Sequence, residues 1–198
     1  NKRFWTLDPI DGTKGFLRGD QYAVCLALVE EGEVQIGIIA CPALCLDDCV
    51  GHLIFAQKGN GAWKRPLNDE SSPLQRIHVN VDIKSMVQSV EASHGNHSDQ
   101  QTVAKAAGVD NVILMDSQAK YATVACGEAA LYLRLSSYKE NIWDHAAGAI
   151  IVQEAGGKVT DRNGKPLLFT AVKMTENSGV VVSNGTIHNR VLCAIPRY

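Results

Sequence analysis

An α/β fold in two parts is what the sequence predicts: an antiparallel meander up to about residue 80, then a mixed α/β portion. Three observations predict it. Tyr22 to Val29 and Val34 to Ala40 are almost continuous apolar runs separated only by Glu30-Glu31-Gly32-Glu33, as expected of buried strands joined by a turn. From residue 85 onward, short apolar runs alternate instead with helical stretches closed by glycine. Asp144 to Ala155, entered through an aspartate and left through Gly156-Gly157, carries the punctuation of a complete helix.

The chain opens on Phe4-Trp5-Thr6-Leu7, a strand end, followed by Asp8-Pro9-Ile10-Asp11-Gly12-Thr13. Proline fixes φ and bends the chain, so Asp8, the Ile10 carbonyl and Asp11 are expected to converge instead of pointing to opposite faces. Oxygen donors alone suit magnesium. Gly12 and Thr13 would then offer backbone N–H groups to an anion at the start of a short helical link over Lys14 to Arg18.

After the Tyr22–Val29 and Val34–Ala40 hairpin, Pro42 is expected to end the second strand. His52 to Gln57 reads as a third strand, Lys58-Gly59-Asn60-Gly61 as a turn and Ala62-Trp63-Lys64 as a short return. Residues 66–73 are polar and predict a surface loop, and Ile77-His78-Val79 resumes a strand. Beyond residue 85 the prediction is a strand over Val87–Ala92, a helix over Asp99–Ala107 ended by Gly108, and a strand over Val112–Met115. A small-residue helix over Ala119–Gly127, a strand over Ala130–Leu135 and the Asp144–Ala155 helix follow. Short strands at Lys158–Thr160 and Gly179–Ser183 and a helix over Thr186–Ala194 complete the series. The expected division is 1–82 for the later part of a metal-binding domain and 83–198 for a mixed α/β domain.

The 198 residues are 45% hydrophobic and 20% charged, enough to bury a core. A formal charge of −2 argues against nucleic acid or a membrane surface as partner, because either needs a basic excess. Six cysteines at 25, 41, 45, 49, 126 and 193 show no paired framework, which predicts a reduced intracellular, cytoplasmic protein, with an organelle left open. Cys41, Cys45 and Cys49 recur every fourth residue, but Pro42 and Asp47-Asp48 suit a loop better than a helical thiol stripe, and the spacing is not that of a zinc finger. If exposed, Cys45 and Cys49 would be open to oxidation.

Two motifs carry chemistry. Asp-Pro and Asp-Gly are each common turn dipeptides, yet together after an apolar run they favour a metal site. Haloacid-dehalogenase phosphatases also carry an acidic motif ending Asp-Gly-Thr, with one residue between the aspartates; here Pro9 and Ile10 intervene, and no later lysine and acidic pair completes that chemistry. In Trp143-Asp144-His145-Ala146-Ala147-Gly148, Asp144 serves as a helix N-cap with an oxygen to spare for ligation, and the small residues leave room for close approach.

The pair Trp-Thr-Leu-Asp-Pro-Ile-Asp-Gly-Thr-Lys-Gly-Phe and Trp-Asp-His-Ala-Ala-Gly, with Glu154-Ala155-Gly156-Gly157, resembles the inositol monophosphatase superfamily of magnesium-dependent, lithium-sensitive phosphatases. Lys14 to Val24, Asp116-Ser117-Gln118-Ala119-Lys120-Tyr121 and Tyr132-Leu133-Arg134 resemble, within it, the 3′(2′),5′-bisphosphate nucleotidases. The resemblance implies a layered α-β-α-β-α sandwich, of which this chain is the later part, and hydrolysis of the 3′-phosphate of adenosine 3′,5′-bisphosphate and of its sulfated form. Two or three magnesium ions would be held by Asp8, the Ile10 carbonyl, Asp11 and Asp144. Thr13, with Asp11, would serve the attacking water, and Gly12, Thr13, His94, Ser117, Lys120 and Arg134 would contact substrate, with His97 the alternative to His94. A monomer is implied. The resemblance also implies a glutamate ligand and a further aspartate ahead of Asp8, so these residues alone are expected to be inactive. An inositol polyphosphate 1-phosphatase and a non-catalytic nucleotide sensor are the alternatives.

Overall fold

The computed structural model describes residues 3–90, 97–135 and 139–196. Its first sheet is the expected meander, with six antiparallel strands lying in chain order: β1 (Arg3–Asp11), β2 (Ala23–Glu30), β3 (Glu33–Leu46), β4 (Cys49–Gln57), β5 (Ala62–Pro66) and β6 (Gln75–Ile77). The helix α1 (Thr13–Arg18) links β1 to β2. Pro42 does not end β3. The strand runs on to Leu46 through an irregular stretch of pairing between Cys41 and Cys45, where a missing ladder N–H is tolerated.

The β3–β4 hairpin then closes on Asp47 and Asp48, with φ of 50° and 59°, a left-handed pair suited to a tight two-residue turn. The loop expected for Cys45 and Cys49 is therefore strand. Cys45 lies opposite Val50 and Cys49 opposite Leu46, which sends the two thiols to opposite faces of the ribbon. Cys45 is exposed, and all six cysteines are free thiols.

The second sheet is mixed, in the order β10 (Lys158–Thr160), β11 (Val180–Ser183), β9 (Leu131–Arg134), β7 (Ser85–Gln88), β8 (Asn111–Leu114), with β7 parallel to both its neighbours. Every residue of β11 is buried, as the unbroken valine run requires. Between the sheets lie α3 (Ala119–Ala125) and α4 (Ala146–Glu154), while α2 (His97–Ala106) and α5 (His188–Ala194) cover the far side of the second sheet. One core, including Ile39, Ile54, Tyr121 and Ile151, fills the space around α3 and α4, and another, including Met86, Leu131 and Val191, lies under α2 and α5. The layers run β-α-β-α, four of the five expected of the sandwich. Among the described residues, no helix is long and apolar enough to cross a membrane.

The small residues of Ala146-Ala147-Gly148 do make room, but for the protein itself. A Cβ on Gly148 would sit 2.2 Å from Cγ of the Tyr121 ring, and one on Gly37 in β3 would sit 2.5 Å from Ile150 and 2.6 Å from the Ala147 carbonyl. Helix α4 is thus pressed against α3 on one side and β3 on another. At its end, the Glu154 carboxylate accepts the N–H groups of Gly59 (2.9 Å) and Gly61 (2.8 Å) from the β4–β5 turn. Gly148→Ala is expected to destabilise the protein by about 1–3 kcal/mol through overpacking. Denaturant unfolding checks this, with a lowered midpoint at unchanged slope as the expected result.

Candidate active site

The site begins at an irregularity in the edge strand. In a regular strand, two residues three apart face opposite sides. Here the β1–β2 pairing runs Asp8 with Cys25 and then Asp11 with Ala23, three residues of β1 against two of β2. This bulge at Pro9 and Ile10 sets both carboxylates across from Cys25 and Ala23, two buried residues of one sheet face. The Ile10 N–H donates to Asp8 Oδ1 (3.2 Å), and the Thr13 hydroxyl donates to the Ile10 carbonyl (3.2 Å). Gly12 turns the chain at φ +80°, and its missing Cβ matters twice over, since a Cβ there would also lie 2.8 Å from that of Ser117.

The opposite wall comes from the segment entering α3 and from β9. Ser117 is a non-glycine residue at φ +63°, an uncommon conformation that aims the adjoining amides at β1, and Gln118 N–H donates to Asp11 Oδ2. The Ser117 hydroxyl accepts the Ala119 N–H at 3.1 Å. Asp116 pairs with Arg18, which also bonds Asp20 at 2.9 Å. Lys120 is buried, donates to the Met115 carbonyl (3.3 Å) and lies over the Tyr132 ring at 5.3 Å. Arg134 Nε donates to Glu140 Oε1 at 2.8 Å.

Asp144 is not the N-cap of α4. It ends a 3₁₀ turn, Ile142–Asp144, and reaches back to accept the Asn141 N–H at 3.0 Å, while His145 occupies the cap position. A turn tightened ahead of the helix is a common way to enter one, and it swings the carboxylate toward β1. His145 is wholly buried and kept neutral, its pKa driven well below the ordinary value by burial and by the positive charges of Arg134 and Lys120. Its Nδ1 lies 2.7 Å from the Tyr121 hydroxyl, so it pins α4 to α3.

Asp11, Gly12, Thr13, Ser117, Lys120, Arg134 and Asp144 all line one cavity of about 220 Å³. Asp8 and Ile10 stand beside it on the bulge, and His94 lies outside the described residues. A larger surface hollow of about 590 Å³ beside α5 has no Asp or Glu in its wall among the described residues. Arg18, Asp116, Gln118 and Tyr132 stood within motifs quoted from the sequence but were given no role there, and Glu140 went unremarked.

The cavity brings together charges of both signs. Burial raises the Asp11 pKa to about 6; Lys120 opposes this, Asp8 adds to it, the Gln118 N–H opposes it and Asp144 adds to it. Asp8 is raised by burial, against the Ile10 N–H, with Asp144 adding its repulsion; Asp144 is raised by burial, against the Asn141 N–H and Arg134. Of the cations, Lys120 is lowered by burial to about 8 while Asp11 holds it up. Arg134 keeps its charge because Tyr132 and Glu140 outweigh the cost of burying it.

Three mutually repelling carboxylates with a backbone carbonyl beside them form an all-oxygen donor set, which fits a hard divalent cation. Among the described residues, no three His, Cys, Asp or Glu side chains are drawn together tightly enough to hold a metal ion by themselves. Each of the three is instead tied by one oxygen to a backbone N–H, Asp8 to Ile10, Asp11 to Gln118 and Asp144 to Asn141.

Known proteins resemble this chain in sequence and in fold. The chain is 41% identical to 3′(2′),5′-bisphosphate nucleotidase 2 of Candida albicans over 98% of its own length and 61% of the relative. It is 43% identical to the 3′(2′),5′-bisphosphate nucleotidase of Emericella nidulans over 98% and 63%. The chain thus spans about three-fifths of the length of these curated relatives. An inositol monophosphatase of Thermotoga maritima superposes with a TM-score of 0.75 at 29% identity, covering 98% of this chain and 69% of that one. CysQ of Bacteroides thetaiotaomicron, a bacterial member of the same family, gives 0.71 at 27% identity, covering 92% and 70%. The model of the inositol monophosphatase family matches residues 1–198, and with the layered fold and the bulged Asp8–Thr13 motif in place, the chain belongs to that family.

Proposed function

We propose that the protein carrying this chain is a magnesium-dependent phosphatase that removes the 3′-phosphate of adenosine 3′,5′-bisphosphate and of its sulfated form. The observation that carries the reading is that one cavity gathers the carboxylates of Asp11 and Asp144 together with two cations, the buried Lys120 and the partly buried Arg134. A substrate with two phosphates gives one to the metal held by the carboxylates and one to the cations. The relatives named as bisphosphate nucleotidases support the same choice.

In this reading Asp8, Asp11, Asp144 and the Ile10 carbonyl hold the metal, and Ser117 and His94 contact the nucleotide. A magnesium ion held there would supply positive charge against the scissile phosphate and lower the pKa of water. Thr13 donates its proton to the Ile10 carbonyl and so turns an oxygen lone pair outward, able to accept a hydrogen bond from the attacking water. Gly12, without a side chain, keeps that approach open. Arg134, held in orientation by Glu140, offers guanidinium N–H groups to the phosphate that stays, and Lys120 supplies a point charge beside it. Lithium inhibition belongs to the same reading.

Phosphate release by the full-length protein from adenosine 3′,5′-bisphosphate, titrated with magnesium, tests it. Release that saturates with the metal and is weak on an inositol bisphosphate is expected. Preference for the inositol compound, or binding without turnover at any metal concentration, would replace it with one of the alternatives.

A further inference from the structure

Gln118 is 2% exposed, carries no charge and lies on the boundary between the two carboxylate-bearing elements. Its backbone N–H donates to Asp11 Oδ2 on the β1 bulge. Its side chain meets the other element twice: Nε2 donates to the Trp143 carbonyl at 2.7 Å, and Oε1 accepts the Gly148 N–H at 3.0 Å. Trp143 immediately precedes Asp144, and Gly148 is in the first turn of α4, whose leading N–H groups have no partner within the helix. The cap residue His145 makes no side-chain cap bond. A glutamine on a neighbouring element therefore does the capping.

The chemistry of the two contacts is selective. A carbonyl only accepts and a backbone N–H only donates, so the group between them must do both, at a span that fits this side chain. Leucine and methionine do neither; asparagine keeps the amide but is one methylene short.

We propose that Gln118 is a positioning residue for the metal site, fixing the separation of Asp11 and Asp144. This rests on the reading of those carboxylates as metal ligands. Groups that orient ligands from behind typically alter metal affinity by about 10–100-fold when removed.

The test is calorimetric titration of magnesium into the full-length protein, with the melting temperature of the metal-free form measured alongside, for wild type, Gln118→Met, Gln118→Asn and Glu154→Gln. Glu154→Gln weakens the other end of α4 without touching either carboxylate. Both Gln118 variants are expected to bind magnesium about tenfold or more weakly. Glu154→Gln is expected to lower the metal-free melting temperature yet bind magnesium as wild type does. Gln118→Asn keeps a polar group in the buried slot, so it reports even where Gln118→Met does not fold. Gln118 variants with wild-type magnesium affinity would overturn the proposal alone, as would an equal loss in Glu154→Gln. A wild-type protein that binds no magnesium overturns the metal reading itself, and this proposal with it.

Discussion

Replacing Asp11 with asparagine is expected to abolish most phosphate release and, at the same time, to stabilise the metal-free protein. The first effect follows from removing a charged oxygen ligand, worth several kcal/mol of transition-state stabilisation, or about a thousandfold in rate. The second follows from the pKa. The Asp11 carboxyl titrates near 6 in the fold, above the ordinary carboxylate value, because burial and then Asp8 and Asp144 disfavour its charge more than Lys120 and Gln118 favour it. A raised pKa means that the folded state binds the proton more tightly than the unfolded chain. Its contribution is therefore most favourable below about pH 4 and is lost as pH rises through about 6. At pH 7 the ionised group opposes folding, so asparagine should add about 1–3 kcal/mol in the absence of divalent cations. Chemical denaturation in chelator at pH 7 and pH 5 checks the sign: the gain should be large at pH 7 and shrink at pH 5.

Lys120→Met is expected to raise the KM for a bisphosphorylated substrate by about 10–100-fold while the protein stays folded, since one charge-assisted contact is lost. The side chain is buried, and burial lowers its pKa to about 8, so the ammonium is costly to keep where it is. Methionine has a similar reach, leaves only the bond to the Met115 carbonyl unmade and packs readily against Tyr132. Arg134 is a different case. Removing it would leave Glu140, which is 4% exposed, as a buried carboxylate without its guanidinium, a change that damages the fold as well as the site.

Why the site was only partly legible is a matter of distance along the chain. Asp8, Asp11 and Thr13 stand close in sequence, and Pro9 between the carboxylates is a local signal that the strand bends, which the bulge bears out. Asp144 announced itself at a helix entrance, but local propensity did not distinguish an N-cap from a 3₁₀ turn with His145 capping behind it. The contacts of Gln118 with Asp11 and of Arg18 with Asp116 join residues 107 and 98 positions apart, and no local pattern encodes them. The Ala-Ala-Gly run signalled close approach correctly, while what approaches, Tyr121 and β3, is settled only by packing. Pro42 misled because a proline that breaks an ordinary strand is accommodated where pairing is already irregular. The two-sheet plan was readable because its apolar runs are long and its turns are marked by glycine and acidic residues.

The central claim is that the carboxylates and the cations lining one cavity act on one substrate. The most direct measurement is kcat/KM for adenosine 3′,5′-bisphosphate relative to adenosine 3′-monophosphate, at saturating magnesium, in the full-length wild type and in Lys120→Met. A wild-type preference for the bisphosphate of about tenfold or more, removed by the substitution with the monophosphate rate left in place, is the expected result. Equal ratios in the two proteins would contradict the account.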